Sequence, residues 1–167
     1  MGLVMEVVRQ HGIDIVRVLV GVFIFFHASR IYFRHRKKVR LLRCDIYDID
    51  ELSGEDFELF LYYFFRKHGY RVRLTPRTHD FGADLVIRHR RKRIVIQAKR
   101  WKERVGIKAV QEVIGSLAYY EAKQGMVFTN SYYTKSAVIL AQSNGITLVG
   151  RNALKRMIKD DHVILPE

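Results

Sequence analysis

Two short runs of apolar and β-branched residues, Leu85-Val86-Ile87 and Ile94-Val95-Ile96, bracket a basic stretch at 88–93, and together they predict a β-hairpin. Side chains two apart on a strand share a face, so Gln97 and Lys99, at the end of the second run, point the same way. Ahead of the first run, Asp80-Phe81-Gly82-Ala83-Asp84 sets a carboxylate at the mouth of the neighbouring strand. A carboxylate, an amide oxygen and an ammonium gathered at one hairpin suit a Mg²⁺-assisted attack on a phosphodiester. Mg²⁺ takes hard oxygen ligands, keeps several of its waters and needs only one or two protein groups. Asp84 and Gln97 can supply them.

At 167 residues, with two prolines and 49% hydrophobic residues, the chain has material for one well-buried domain and not for two of ordinary size. Its single cysteine, Cys44, excludes an internal disulfide and a cysteine-based zinc cluster, and points to a reduced, cytosolic setting. The net charge of +13 calls for a polyanionic partner, either nucleic acid or an anionic membrane. That charge is unevenly placed. Residues 1–44 carry nine Lys and Arg against Glu6 and Asp14, or +7 of the total.

The same segment is mostly apolar over 13–33 and unbroken over 18–26, with Asp14 and Arg17 near one end and His27, Ser29 and Arg30 near the other. A membrane span needs about 20 apolar residues. The run Arg34-His35-Arg36-Lys37-Lys38-Val39-Arg40, followed by Arg43, gives the positive flank that marks the cytoplasmic side of a span. Residues 1–44 are therefore predicted as a hydrophobic helix anchored in a membrane and ending in a basic juxtamembrane arm. The anchor is expected to be single-pass, with the rest of the chain at the cytoplasmic face of the inner or plasma membrane. No small-x-small site follows the apolar run, which argues against a cleaved signal peptide. The alternative is a helix packed on a cytoplasmic domain. Residues 45–52, acidic by contrast, read as a linker.

From residue 53 the pattern is that of a compact α/β domain. Ser53 with Asp56 resembles a capping box and Gly69 supplies a stop, so 53–68 is predicted as a helix. Its Phe57, Phe60, Leu61, Phe64 and Phe65 recur at core-facing spacing. Glu58 falls at the start of this helix, where the dipole favours a carboxylate whether or not it has a further role. Alternation over 70–75 predicts a strand ended by Pro76. After the hairpin come a helix over 107–124 stopped by Gly125, a strand over 126–129, a helix over 134–144, a strand over 146–149 and a helix over 152–158. Strands alternating with helices after a hairpin imply a mixed central sheet flanked by helices, with 160–167 as a tail. The arginines and lysines that crowd these strands favour contact with phosphates.

Residues 53–154 resemble the catalytic domain of the Mrr-like restriction endonucleases, a branch of the PD-(D/E)xK nuclease superfamily. The matching residues are Asp56-Phe57-Glu58, Gly69-Tyr70, Asp80-Phe81-Gly82-Ala83-Asp84, Gln97-Ala98-Lys99-Arg100-Trp101, Gln111 and Thr129-Asn130-Ser131, in the expected order. The resemblance implies a restriction-endonuclease-like core over 53–159 and a Mg²⁺-dependent DNA endonuclease, with Mn²⁺ as a substitute. It implies Asp84 as principal metal ligand, Gln97 and the Ala98 backbone carbonyl beside it, Lys99 as the catalytic lysine and Glu58 as an outer partner of metal or water. Asp80 is left open between a second-metal partner and a turn residue. Arg77, Arg88, Arg100, Trp101, Lys102, Gln111 and Asn130 are expected against DNA. Most of the superfamily has Glu or Asp where this chain has Gln97. The loss of one negative charge implies weaker intrinsic metal binding, completed by substrate phosphate.

The implied role is restriction-like defence against foreign or modified DNA, to which the N-terminal helix adds a membrane tether. Because one core carries one site, double-strand cleavage is expected to need a homodimer or two successive nicks. The competing readings are a structure-specific nuclease of repair or recombination, a membrane-associated nucleic-acid-binding module without catalysis, and a protein whose basicity serves only anionic lipid.

Overall fold

The structure, a computed structural model, describes residues 2–76, 81–89, 92–163 and 165, with side chains from residue 16 onward. Two compact units divide the chain, Met1–Arg40 and Leu41–Glu167.

The first unit lies in one helix, α1 (Gly2–Leu41), whose last residue belongs to the second unit and which is longer at both ends than the apolar run that announces it. Val18, Leu19, Val20, Val22, Phe23, Ile24, Phe25 and Phe26 are all exposed on it. Such a succession runs around the helix and does not form one stripe. Over Val16–Leu41 the helix is long and apolar enough, by length and composition, to cross a membrane.

The second unit begins with α2 (Ile46–Asp50). Asp45 caps it, its Oδ1 accepting from the N–H groups of Tyr47 and Asp48 at 2.8 and 2.9 Å, while Asp48 returns a carboxylate oxygen to the Asp45 N–H at 2.9 Å. Ile46 and Ile49 are buried with Leu41 and Cys44. The linker predicted at 45–52 is thus a capped helix seated in the core. Two of its acidic residues, Asp45 and Asp48, are the cap, and its two isoleucines, three apart, are the buried face.

Helix α3 (Gly54–Lys67) follows, with Ser53 Oγ accepting from the Asp56 N–H at 3.1 Å. The strands β1 (Arg71–Leu74), β2 (Leu85–His89), β3 (Lys92–Lys99), β4 (Gln124–Thr129) and β5 (Ile146–Val149) lie side by side in chain order. The first three are antiparallel, with Leu85 opposite Ile96 and Ile87 opposite Ile94 in the hairpin. β3, β4 and β5 run parallel. Parallel neighbours need crossovers. These are α4 (Ile107–Tyr119) and α5 (Lys135–Ser143), and α6 (Arg151–Lys159) closes the fold.

Alternation along the strands sends Leu85, Ile87, Ile94, Ile96 and Phe128 into one core with α2, α3 and α6. Val86, Val95 and Val127 go into a second core with α4 and α5. The sheet is therefore covered on both faces.

Two boundaries depart from expectation. α4 stops at Tyr119, because Glu121 takes a positive φ of 50° and Gln124 already opens β4. Gly125, expected to stop that helix, sits inside β4 instead. A Cβ there would run into the Val113 side chain of α4 and come within 3.0 Å of Ile146. Its role is to let α4 lie close on the sheet.

Candidate active site

Asp84 occupies the entrance to β2. Its N–H donates to the Ile96 carbonyl at 2.8 Å, and its own carbonyl accepts from the Thr75 N–H at 3.0 Å, so its backbone is pinned between β1 and β3. The turn before it is tight: Phe81 has φ 52° and Gly82 φ 86°. A Cβ on Gly82 would lie 2.5 Å from the Glu112 carbonyl oxygen, so only glycine lets this turn press against α4. The Phe81 ring stacks on Tyr119 at 3.8 Å.

The Asp84 carboxylate meets β3. Its Oδ2 accepts from Gln97 Nε2 at 2.5 Å and from the Ala98 N–H at 2.7 Å. Gln97 is 4% exposed, and its Oε1 is buried without a hydrogen-bond partner. Two residues on, Lys99 Nζ stands 2.8 Å from Glu112 Oε2, both side chains about a quarter exposed. The two charges face each other as an ion pair and are not aligned as a hydrogen bond.

Glu112 is a site residue that the sequence reading missed in favour of its exposed neighbour Gln111. A signal was present. Glu112 lies three residues after Ala109 and next to Val113, on the edge of the buried stripe of α4, where a carboxylate needs a partner.

The hairpin therefore joins Asp84, Gln97 and Ala98 directly, with Lys99 alongside. Glu58 stands in the second turn of α3, half-buried, on the helix that covers the opposite face of the sheet from α4. Arg77 and Asp80 lie outside the described residues. Among the described residues, no three His, Cys, Asp or Glu side chains gather as a metal cluster. Among the described residues, what the hairpin offers a cation is the Asp84 carboxylate with amide and backbone oxygens.

Beyond Lys99 the chain runs into a second network. The Trp101 N–H donates to Asn130 Oδ1 at 2.9 Å, and Asn130 Nδ2 donates to Asp50 Oδ1 at 2.8 Å. Arg151 grips the same Asp50 with both terminal nitrogens, at 2.7 and 2.8 Å, and donates to the Asn130 carbonyl at 2.9 Å. This fork holds the Asp50 carboxyl below its ordinary range against the opposing effect of burial, helped by Asn130. Arg100 reaches the Asp50 carbonyl at 3.5 Å. Trp101, Lys102, Asn130 and Tyr132 border a cleft of about 330 Å³ with Asp50 and Arg151 in its wall.

Arg88 is not part of this group. It stands four residues from Asp84, about 13 Å along the strand, beside Arg71, Arg73 and Arg93 in a separate basic groove. Arg93 there pairs with Glu121 at 2.9 Å.

The family described as Restriction endonuclease, Mrr_cat, matches residues 49–158, which contain the whole of this arrangement. The chain belongs to that family. The chain is 36% identical over 90 residues to the type IV methyl-directed restriction enzyme EcoKMrr of Escherichia coli strain K12, a match covering 52% of this chain and 30% of that enzyme. The chain thus spans under a third of that relative's length.

Among solved structures, the Mrr_cat fold is shared with the DNA modification-dependent restriction endonuclease AspBHI. The TM-score is 0.52 and the identity 17%, over 75% of this chain and 36% of that one. It is shared also with AF1548, a protein of unknown function, with a TM-score of 0.51 and 18% identity over 59% of each chain. The architecture is that of the restriction endonucleases, as the resemblance implies.

Proposed function

We propose that the Mrr_cat unit hydrolyses phosphodiester bonds in DNA with a divalent cation, and that the observation carrying this is the pairing of the Asp84 carboxylate with the buried, unpartnered Oε1 of Gln97. A buried acceptor without a donor is costly in a core. A cation is the partner that relieves it. The donors are hard oxygens, which suits Mg²⁺, or Mn²⁺ in its place. Asp84, Gln97 Oε1 and the Ala98 carbonyl would hold it. When bound, the cation supplies Lewis-acid polarisation of the scissile phosphate and an acidified water.

The remaining work falls to the chain. The Ala98 N–H fixes the Asp84 carboxylate, so that a single rotamer faces the substrate. Lys99 offers an ammonium to the charge that grows on phosphorus. Glu112 holds that ammonium on the site's side of β3 before DNA arrives. Arg100 and Lys102 draw the backbone in, and Arg88 with its neighbours extends the basic surface along the hairpin.

The reading includes a defensive role against foreign or modified DNA, supported by family membership and by the methyl-directed action named for the Escherichia coli relative. It also includes attachment to the cytoplasmic face of a membrane, supported by the apolar length of α1 and the basic residues 34–40. Double-strand cleavage would need two copies or two successive nicks.

Lys99→Ala is expected to abolish Mg²⁺-dependent nicking of plasmid DNA while binding stays measurable by gel shift. Methylated and unmethylated plasmids, each with Mg²⁺ and with EDTA, complete the assay. Undiminished cutting by the variant refutes the assignment. A wild-type protein that shifts every plasmid and nicks none returns the reading to a binding module.

A further inference from the structure

The cleft beside Lys99 is built around an aromatic side chain held in the open. Trp101 is 56% exposed and Tyr132, on the same cleft, 47%. An exposed tryptophan on a mobile loop would mean little. This one is anchored. Its N–H is bound by Asn130, Asn130 by Asp50, and Asp50 by the two-pronged Arg151, so three elements fix the backbone from which the indole projects. The loop that follows is tied down too, the Val105 N–H donating to the Tyr132 carbonyl at 2.8 Å.

The neighbouring rings sit among cations. Arg104 lies over Tyr132 at 5.8 Å, and Arg151 and Lys155 lie over Tyr47 at 5.8 and 5.7 Å. In the cleft itself Arg151 neutralises Asp50, and Lys102 stands with the Glu51 carboxylate. Rigid aromatic surface with cations at hand is what unpaired nucleotides bind, because every base has a π-face while the phosphates seek the charge. The cleft, at about 330 Å³, falls at the small end of the range for ligand sites. It opens at the carboxyl ends of the parallel strands β3 and β4, where open α/β sheets take their ligands.

We propose that Trp101 is a stacking platform for one unpaired nucleobase next to the scissile phosphate, an inference that rests on the nuclease reading for the place of the cut. Bases inside a duplex are already stacked and cannot reach an indole without being drawn out. The preferred substrate class is therefore DNA with a local unpaired nucleotide at an end, flap, gap or extruded base.

Trp101 is the only tryptophan in the chain, so its fluorescence reports on it alone. The full chain in detergent and EDTA is titrated with a thymidine oligonucleotide and with a blunt duplex of equal length. Saturable quenching by the single strand, much weaker with the duplex, is the expected result. By anisotropy of a labelled oligonucleotide, Trp101→Ala should lose about five-fold or more in single-strand affinity, Trp101→Phe should retain most of it, and duplex binding should change by less than about two-fold. Binding of both forms without quenching, with Trp101→Ala at wild-type affinity, overturns the platform and leaves the nuclease reading standing. Binding of neither form, in EDTA or with Ca²⁺ in its place, overturns both. The fluorescence arm uses the wild-type chain and so does not depend on how the variants fold.

Discussion

A buried amide oxygen with nothing to accept is the least settled atom at this site, and it belongs to the residue that departs from the usual carboxylate. Gln97 reconciles two demands: with no cation present its Nε2 donates to Asp84, where a second carboxylate would repel it, and its Oε1 stays open to a cation. Gln97→Glu is expected to lower stability in EDTA by about 1–3 kcal/mol, the cost of replacing a buried hydrogen bond by two unshared charges. Added Mg²⁺ should restore the melting temperature of the variant more than that of the wild type. Thermal unfolding with and without the cation checks both halves. Asp84, Gln97 and Lys99 were legible because strand periodicity of two fixes who shares a face with whom. Glu112 and Asp50 were not, because their partners lie 13 and 101 residues away and only tertiary packing brings them together.

Helix α2 shows why elements of this size escape a sequence reading. Five residues hold little more than one turn, too few for periodicity to register, and four acidic residues between 45 and 51 look like solvated connector. The longer α3, α5 and α6 were readable within a residue or two, while the end of α4 was misplaced because Gly125 looks like a stop and is a packing device. The link between α2 and α6 is the Asp50–Arg151 clamp, with both side chains more than two-thirds buried. Asp50→Asn is expected to cost about 2 kcal/mol at neutral pH. The folded carboxyl titrates below its unfolded value, so the clamp contributes in full above the ordinary carboxylate pKa of about 4 and is lost as pH falls through the lowered value. The stability gap between wild type and variant should therefore be constant from pH 7 to 5 and close below about pH 4. Urea unfolding at a series of pH values measures it.

For the molecule as a whole, the division after Arg40 sets where the chain can be cut. Leu41 has no exposed surface and Cys44 is buried, so both belong to the second unit's core. A chain starting at Leu41 is expected to remain soluble without detergent, and one starting at Asp45 to be less stable by about 2–5 kcal/mol, the range for removing a buried leucine. Membrane fractionation of the full chain against the chain from Leu41, followed by denaturant unfolding of the two shorter forms, checks each part. The mixed sheet with helices on both faces was legible from the alternation of elements, as was the apolar helix ahead of it. The order of strands bears on assembly. An open sheet has two unpaired edges, and an edge is a template for a second chain. Here one edge is β1, whose Arg71 and Arg73 are exposed, so a second copy adding there in antiparallel register would bring arginines against arginines. Like charges across a ladder repel. That edge carries its own guard against self-association, and a pair of these molecules cutting both strands of a duplex would have to meet elsewhere.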